Sequence, residues 1–375
     1  MSTNLKARAW IEVRANALRN NFARVREAVG PDVRIMPMVK ANAYGLGVAD
    51  VVRVLEPDAP WAYGVATVVE GVHLRDLGVD RPIVVCSPSS GAELDSAVER
   101  RLQLSISSLA ALTDLAATAQ RRGTRAFVHI EVDTGMGRSG FDWRTASEWL
   151  PAVVEGTRED VEWVGCYTHF HSADESDASI REQWDRLGEV LGALDDPPAD
   201  LLVHLLNSAG IFRAPEYAHA VVRPGIFLYG SGIGDGQTSP QAVVSVRVRV
   251  VHVRDVVPGT TLGYGATYRA DGPQRWATLS IGYGDGLPRS LGNRGKALIH
   301  GRFVQVIGRI SMDVTVVDIT DVPGVAVGDV ATLIGSDGGE AITVDEVALH
   351  AGTISYEVLT GLTPRLPRIW NSEDG

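Results

Sequence analysis

Lys40 stands at the end of a short apolar run of Val33, Ile35, Met36, Met38 and Val39, and Asn42, Gly45 and Gly47 follow it as turn signals. The run reads as a buried strand. A lysine at the buried end of a strand is costly unless it is paired or neutralised. One use for it is a Schiff base, because desolvation lowers an amine's pKa and frees it as a nucleophile. The other reading is a lysine that snorkels to the rim of its domain. Two further segments suit an anion. Asn207-Ser208-Ala209-Gly210 and Arg223-Pro224-Gly225-Ile226 each follow an apolar run. A serine hydroxyl with glycine-flanked backbone N–H groups is what a phosphate dianion needs, although Asn-Ser at a strand end also serves as a helix N-cap. Arg223 breaks its apolar run, so it points into a site or pairs with a carboxylate. Tyr264, Tyr283 and Tyr356 offer phenols. A phenol of pKa near ~10 is a poor base at neutral pH unless a donor stabilises the phenolate, and a tyrosine flanked by glycines can be only a turn aromatic.

These residues need a frame. The spacing of Leu18, Phe22, Val25 and Val29 predicts a helix over 15–29, after a lead-in strand at Trp10–Val13. Strands are expected at Ile35–Val39, Ala62–Ala66, Ile83–Cys86, Leu102–Ile106, Ala126–Val132, Val161–Tyr167, Leu201–Leu205 and Val221–Val222, with helices such as Ala110–Gln120 and Ile180–Leu194 between them. Eight strands alternating with helices over about 220 residues predict an α/β fold, a TIM-type (β/α)8 barrel. A doubly wound sheet is the rival, but no G-x-G-x-x-G turn follows the first strand. After Gly230 the texture changes. Residues 231–240 are a loop by composition, and short β-branched runs follow, including the strictly alternating Val244–Val250. The expected domains are a barrel over 10–235 and an all-β domain over 241–375, with residues 1–9 packing against the latter and one short helix near Asp345–His350.

Val39-Lys40-Ala41-Asn42-Ala43-Tyr44-Gly45 resembles the pyridoxal-phosphate signature of the alanine racemases. Leu46-Gly47 follows where the family usually has His-Gly. Later segments resemble the family in its order, from about Ala9 to Pro367. The resemblance implies that Lys40 carries pyridoxal 5'-phosphate, that Asn207, Ser208, Gly225, Ile226, Tyr44 and Tyr356 lie on its phosphate side, and that Arg223 bonds its pyridine nitrogen. An arginine there cannot give its proton to the ring, which favours racemisation; decarboxylases of the same architecture place a carboxylate instead. Racemisation removes a proton from one face of Cα and returns one to the other, so it calls for two acid/base groups. The resemblance assigns them to Lys40 and to Tyr264 of the other subunit, with His169 bonding that tyrosine. Tyr283 and Tyr356 narrow the entrance, and the Met312 N–H takes the substrate carboxylate, with Ser311 and Val314 as departures from the family pattern. His129-Ile130-Glu131-Val132-Asp133-Thr134-Gly135-Met136-Gly137-Arg138 resembles the family's fifth strand, whose arginine, here Arg138, reaches the cofactor's phenolic oxygen and the substrate carboxylate. Many members have, at the position of Glu131, a lysine that becomes a carbamate. Strand alternation turns Glu131 inward, so it is expected to replace that anion and pair with Arg138, the alternative being that it pairs with another group.

The implied activity is L-alanine to D-alanine, for cell-wall peptidoglycan, by a homodimer with shared sites. Racemisation of serine or another small amino acid, and a fold-related decarboxylase, are the alternatives. A single-barrel cofactor carrier would lack residues 241–375. A formal charge of −11 argues against a nucleic-acid partner. Cys86 and Cys166 lie in strand-like runs and fit buried free thiols better than a disulfide or a metal site. Met1–Trp10 has no secretory pattern, and no run approaches the ~18 apolar residues of a membrane span. The expected location is the cytoplasm.

Overall fold

A computed structural model of the chain describes residues 7–234 and 238–371. Residues 1–6, 235–237 and 372–375, which belong to the expected N-terminal packing, the boundary loop and the end of the β domain, lie outside the described residues.

The strands Arg34–Ile35, Tyr63–Val65, Ile83–Val85, Gln103–Ile106, Ala126–Asp133, Val161–Tyr167, Leu202–His204 and Val221–Val222 form one parallel sheet, ordered so that the last neighbours the first. The ring closes where the Val39 N–H donates to Gly64 O at 2.8 Å and the Gly64 N–H to Pro37 O at 2.9 Å. Gly64 leaves room there for the Met38 side chain, whose Sδ would have to shift if a Cβ were added. Helices Ala15–Val29, Val48–Leu55, Val68–Asp76, Glu93–Glu99, Leu109–Arg122, Ala146–Gly156, Asp177–Gly192 and Ser208–Arg213 follow the order of the strands. Parallel strands put all their C-terminal ends on one rim, which is where side chains from different strands can meet.

Val244–Val256 is the hub of the second unit. It pairs antiparallel with Ala9–Arg14, Gln274–Leu279 and Val330–Asp337. Its alternation holds in part: Val246, Val248 and Val250 are buried and Arg247 and Arg249 are half-buried, but Ser245, on the arginine face, is buried too. Two features correct the sequence reading. The lead-in strand exists, but Ala9–Arg14 pairs with Val244–Val256 and with Arg368–Asn371, so it belongs to the β domain and the barrel unit begins at the Ala15 helix. The first barrel strand is also shorter than Ile35–Val39, because Pro37 has no N–H to give to a ladder. The β domain carries the expected helix as Val344–Ala351 and a second, unforeseen one, Ser355–Gly361. Among the described residues no helix is long and apolar enough to cross a membrane.

Candidate active site

Lys40 opens a turn of unusual hand. Ala41, Asn42, Ala43 and Tyr44 all have φ between 52° and 54°, the left-handed region. For L-residues this costs about 1–2 kcal/mol each, so the neighbours must hold it. Asn42 Oδ1 accepts the Val48 N–H at 2.8 Å. The Tyr44 ring stacks on Tyr229 at 4.5 Å, and Tyr229 Oη donates to Met38 O at 2.8 Å. Leu46, the departure from His-Gly, is fully buried in the core, and Gly47 has φ 102°. The turn sets Lys40 at the rim beside a cavity of about 360 Å³, a size suited to a small organic ligand.

That cavity also takes Arg223, buried at the end of the last strand. Arg223 Nη1 donates to His204 Nδ1 at 2.8 Å, and Nη2 donates to Thr168 O at 3.0 Å and His169 Nδ1 at 3.2 Å. An arginine only donates, so both histidines must accept through Nδ1. His204 then donates from Nε2 to His129 Nδ1 at 2.8 Å, and His129 Nε2 donates to Gln103 Oε1 at 2.8 Å. Arg223 thereby orients the whole chain of rings. Burial, then the Arg223 charge, pushes His129 and His169 down to about 3 and His204 well below its usual value, so all three are neutral at pH 7. Burial also works against the Arg223 charge, with Cys86, Tyr167 and Glu131 opposing it; a guanidinium keeps its proton regardless.

The remaining rim supplies donors. Ser208 Oγ accepts the Gly225 N–H at 2.8 Å and the Phe227 N–H at 3.3 Å, which leaves its own proton free to donate. The Ile226 N–H meets no acceptor among the described residues. Asn207 caps the Ser208–Arg213 helix through the Gly210 N–H, as the N-cap reading has it, and it also borders the cavity. Gly225 packs against Tyr44, whose hydroxyl a Cβ would strike. Tyr356 reaches the cavity from the Ser355–Gly361 helix. An amine, a permanently charged guanidinium, and hydroxyl and N–H donors in one concavity fit pyridoxal 5'-phosphate.

Lys40, Tyr44, Arg138, His169, Asn207, Ser208, Arg223, Gly225, Ile226 and Tyr356 all line this one cavity. Tyr264, Tyr283 and Met312 do not. They sit on β-domain loops and are 71%, 41% and 52% exposed, so His169 bonds Arg223 and not Tyr264 within this chain. A second correction concerns Glu131. It is buried and points inward, but it accepts from Ser107 Oγ at 2.8 Å, and no ion pair joins it to Arg138. A seryl hydroxyl one strand away is simply nearer than an arginine seven residues on. Cys86 and Tyr167 also line the cavity, and His204 lies beneath it. His204 interrupts an apolar run in the sequence, as Arg223 does, and that signal could have found it; Cys86 and Tyr167 only end their runs and give no such signal.

The family description "Alanine racemase, N-terminal domain" matches residues 13–232, and "Alanine racemase, C-terminal domain" matches residues 243–370. The alanine racemase of Desulforamulus reducens is 38% identical, over 98% of this chain and 100% of its own. Among solved structures, alanine racemase of Clostridium difficile 630 superposes with a TM-score of 0.91 at 29% identity, covering 99% of this chain and 98% of that one. The alanine racemase of Bartonella henselae with covalently bound pyridoxal phosphate gives 0.89 at 28% identity, covering 97% and 100%. With matching models over both of its units and a relative similar from end to end, the chain belongs to the alanine racemase family.

Proposed function

We propose that this chain interconverts L-alanine and D-alanine with pyridoxal 5'-phosphate attached at Lys40, as a homodimer. The observation that carries the reading is the meeting of Lys40 and the donor-only Arg223 in one cavity with unspent hydroxyl and N–H donors. When bound, the cofactor supplies an electron-accepting ring that makes the substrate's Cα–H acidic. Arg223 would hold the ring nitrogen without protonating it, which would limit electron withdrawal and favour proton return to Cα over side reactions. Ser208, Ile226, Asn207 and Tyr356 would hold the cofactor's phosphate. Lys40 moves the proton on one face of Cα.

The other face falls to Tyr264 of the partner subunit. Tyr264 lies in the turn between Thr261–Leu262 and Tyr268–Arg269, exposed and outside its own chain's cavity, which is where a residue that works in a second copy belongs. His169 supports this. Its Nδ1 accepts from Arg223, so Nε2 carries the proton and can donate to a phenolate. In the same reading Arg138 and the Met312 N–H of the partner subunit take the substrate carboxylate, and Tyr283 with Tyr356 narrows the entrance. The product supplies peptidoglycan precursors in the cytoplasm, a location in keeping with two free thiols. Incubation of purified protein with L-alanine, followed by chiral chromatography and carbon dioxide trapping, tests the reading. D-alanine without carbon dioxide is expected; carbon dioxide would indicate a decarboxylase, and neither product would overturn catalysis on alanine.

A further inference from the structure

We propose that Glu70 and Arg368 are positioning residues for Lys40, clamping the left-handed turn from two different domains. The inference rests on Lys40 being the point of cofactor attachment. Within the turn, the Ala43 N–H bonds Val39 O and the Gly45 N–H bonds Ala41 O, but the Ala41 N–H, next in the chain after Lys40, has no backbone acceptor. It donates at 2.6 Å to Glu70 Oε1. The other carboxylate oxygen, Oε2, accepts the Ala66 N–H at 2.8 Å and the Thr67 N–H at 3.2 Å, and the Thr67 hydroxyl accepts the Glu70 N–H in return. Glu70 is therefore more than half of a capping box for the Val68–Asp76 helix. It uses two acceptor oxygens on two segments, and an amide, with one oxygen and one NH2, cannot serve both.

The far end of the turn is held from the β domain. Arg368, on the last strand, donates to Gly45 O from Nε at 3.0 Å and from Nη2 at 2.8 Å. Its remaining donors go to the carbonyls of Leu362, Thr363 and Leu366, each at 2.6 Å. A guanidinium spent on backbone carbonyls alone pairs with no acid; it fixes chain positions. Gly45 cannot retreat, since even a Cβ there would strike Leu359 O. The carboxylate and the guanidinium thus fix the first N–H and the last C=O of the segment that aims Lys40, and both bonds are charge-assisted.

The test compares three variants of the full-length protein. Each is stripped of cofactor and titrated with pyridoxal 5'-phosphate, reading a visible absorbance band that borohydride removes. Glu70→Gln should weaken cofactor binding about tenfold and lower kcat, the effect of losing one charged hydrogen bond. Arg368→Lys, which keeps the charge and loses the fork, should do likewise. Thr67→Ala breaks only the capping side, so it should lower the melting temperature and leave cofactor affinity unchanged. Wild-type affinity in both Glu70→Gln and Arg368→Lys, or an equal loss in Thr67→Ala, would overturn the clamp. A wild-type protein with no borohydride-sensitive band would instead overturn the Lys40 reading, and the clamp with it.

Discussion

At Glu131 the strand supplies a carboxylate of its own, at the position where the resemblance drawn from the sequence implies a carbamylated lysine. The carboxylate is buried, and its hydrogen bond comes from Ser107, so the anion is seated before any ligand arrives. Arg138 shares the cavity with it. Glu131→Gln removes the charge and should raise KM for alanine about fivefold, the worth of ~1 kcal/mol. Wild-type activity should be the same in bicarbonate-free and bicarbonate-loaded buffer at fixed pH, and a response would show that the carboxylate is no substitute for a carbamate. Lys40→Ala should leave the circular dichroism spectrum intact and abolish racemisation; residual turnover without added amine would contradict its role. At this scale the sequence was legible wherever a polar residue broke an apolar run, as Arg223 does. It was silent where geometry decides the partner. Nothing in the spacing of Glu131 and Ser107 announces that neighbouring strands bring them together, and nothing in the sequence ties Glu70 to the Lys40 turn.

The barrel's inward-facing elements carry a pH liability. His129, His169 and His204 sit neutral in the fold, the first two at about 3 against about 6.5 for a free imidazole. The unfolded chain therefore binds more protons below pH 6.5, so their contribution to stability is complete above that value and is lost as the pH falls towards 3. The melting temperature should drop over this window, and His129→Gln, which removes one such titration, should flatten the fall; parallel curves would contradict it. The Lys40 turn carries a different constraint. Gly225→Ala must displace Tyr44 from its stack on Tyr229, so we expect about 1–3 kcal/mol of lost stability, read by denaturant melts, and weaker cofactor binding. Strand positions were legible because parallel barrel strands are continuous β-branched runs, and Val161–Tyr167 and Val221–Val222 have the bounds expected of them. The left-handed turn was not, since Ala and Tyr disfavour that hand and Asn tolerates it only as a single residue, so a run of four is adopted only under tertiary contacts.

On the scale of the whole molecule, the two units are tied at both ends of the chain, by Ala9–Arg14 and by Arg368–Asn371 on the same sheet. The sequence could not assign Ala9–Arg14 to that sheet, because its partners lie more than 230 residues away and pairing over such distances leaves no local pattern. The cavity holds Lys40, Arg223 and His169, yet Tyr264 of the same chain lies exposed outside it. The central claim is that one racemising site is made by two chains. Mixing equal amounts of inactive Lys40→Ala and inactive Tyr264→Phe protein, with subunit exchange verified by mass spectrometry, tests it most directly. In a symmetric dimer half of the molecules become heterodimers with one intact site of two, so activity should return to about a quarter of wild type. No recovery after complete exchange would contradict the claim.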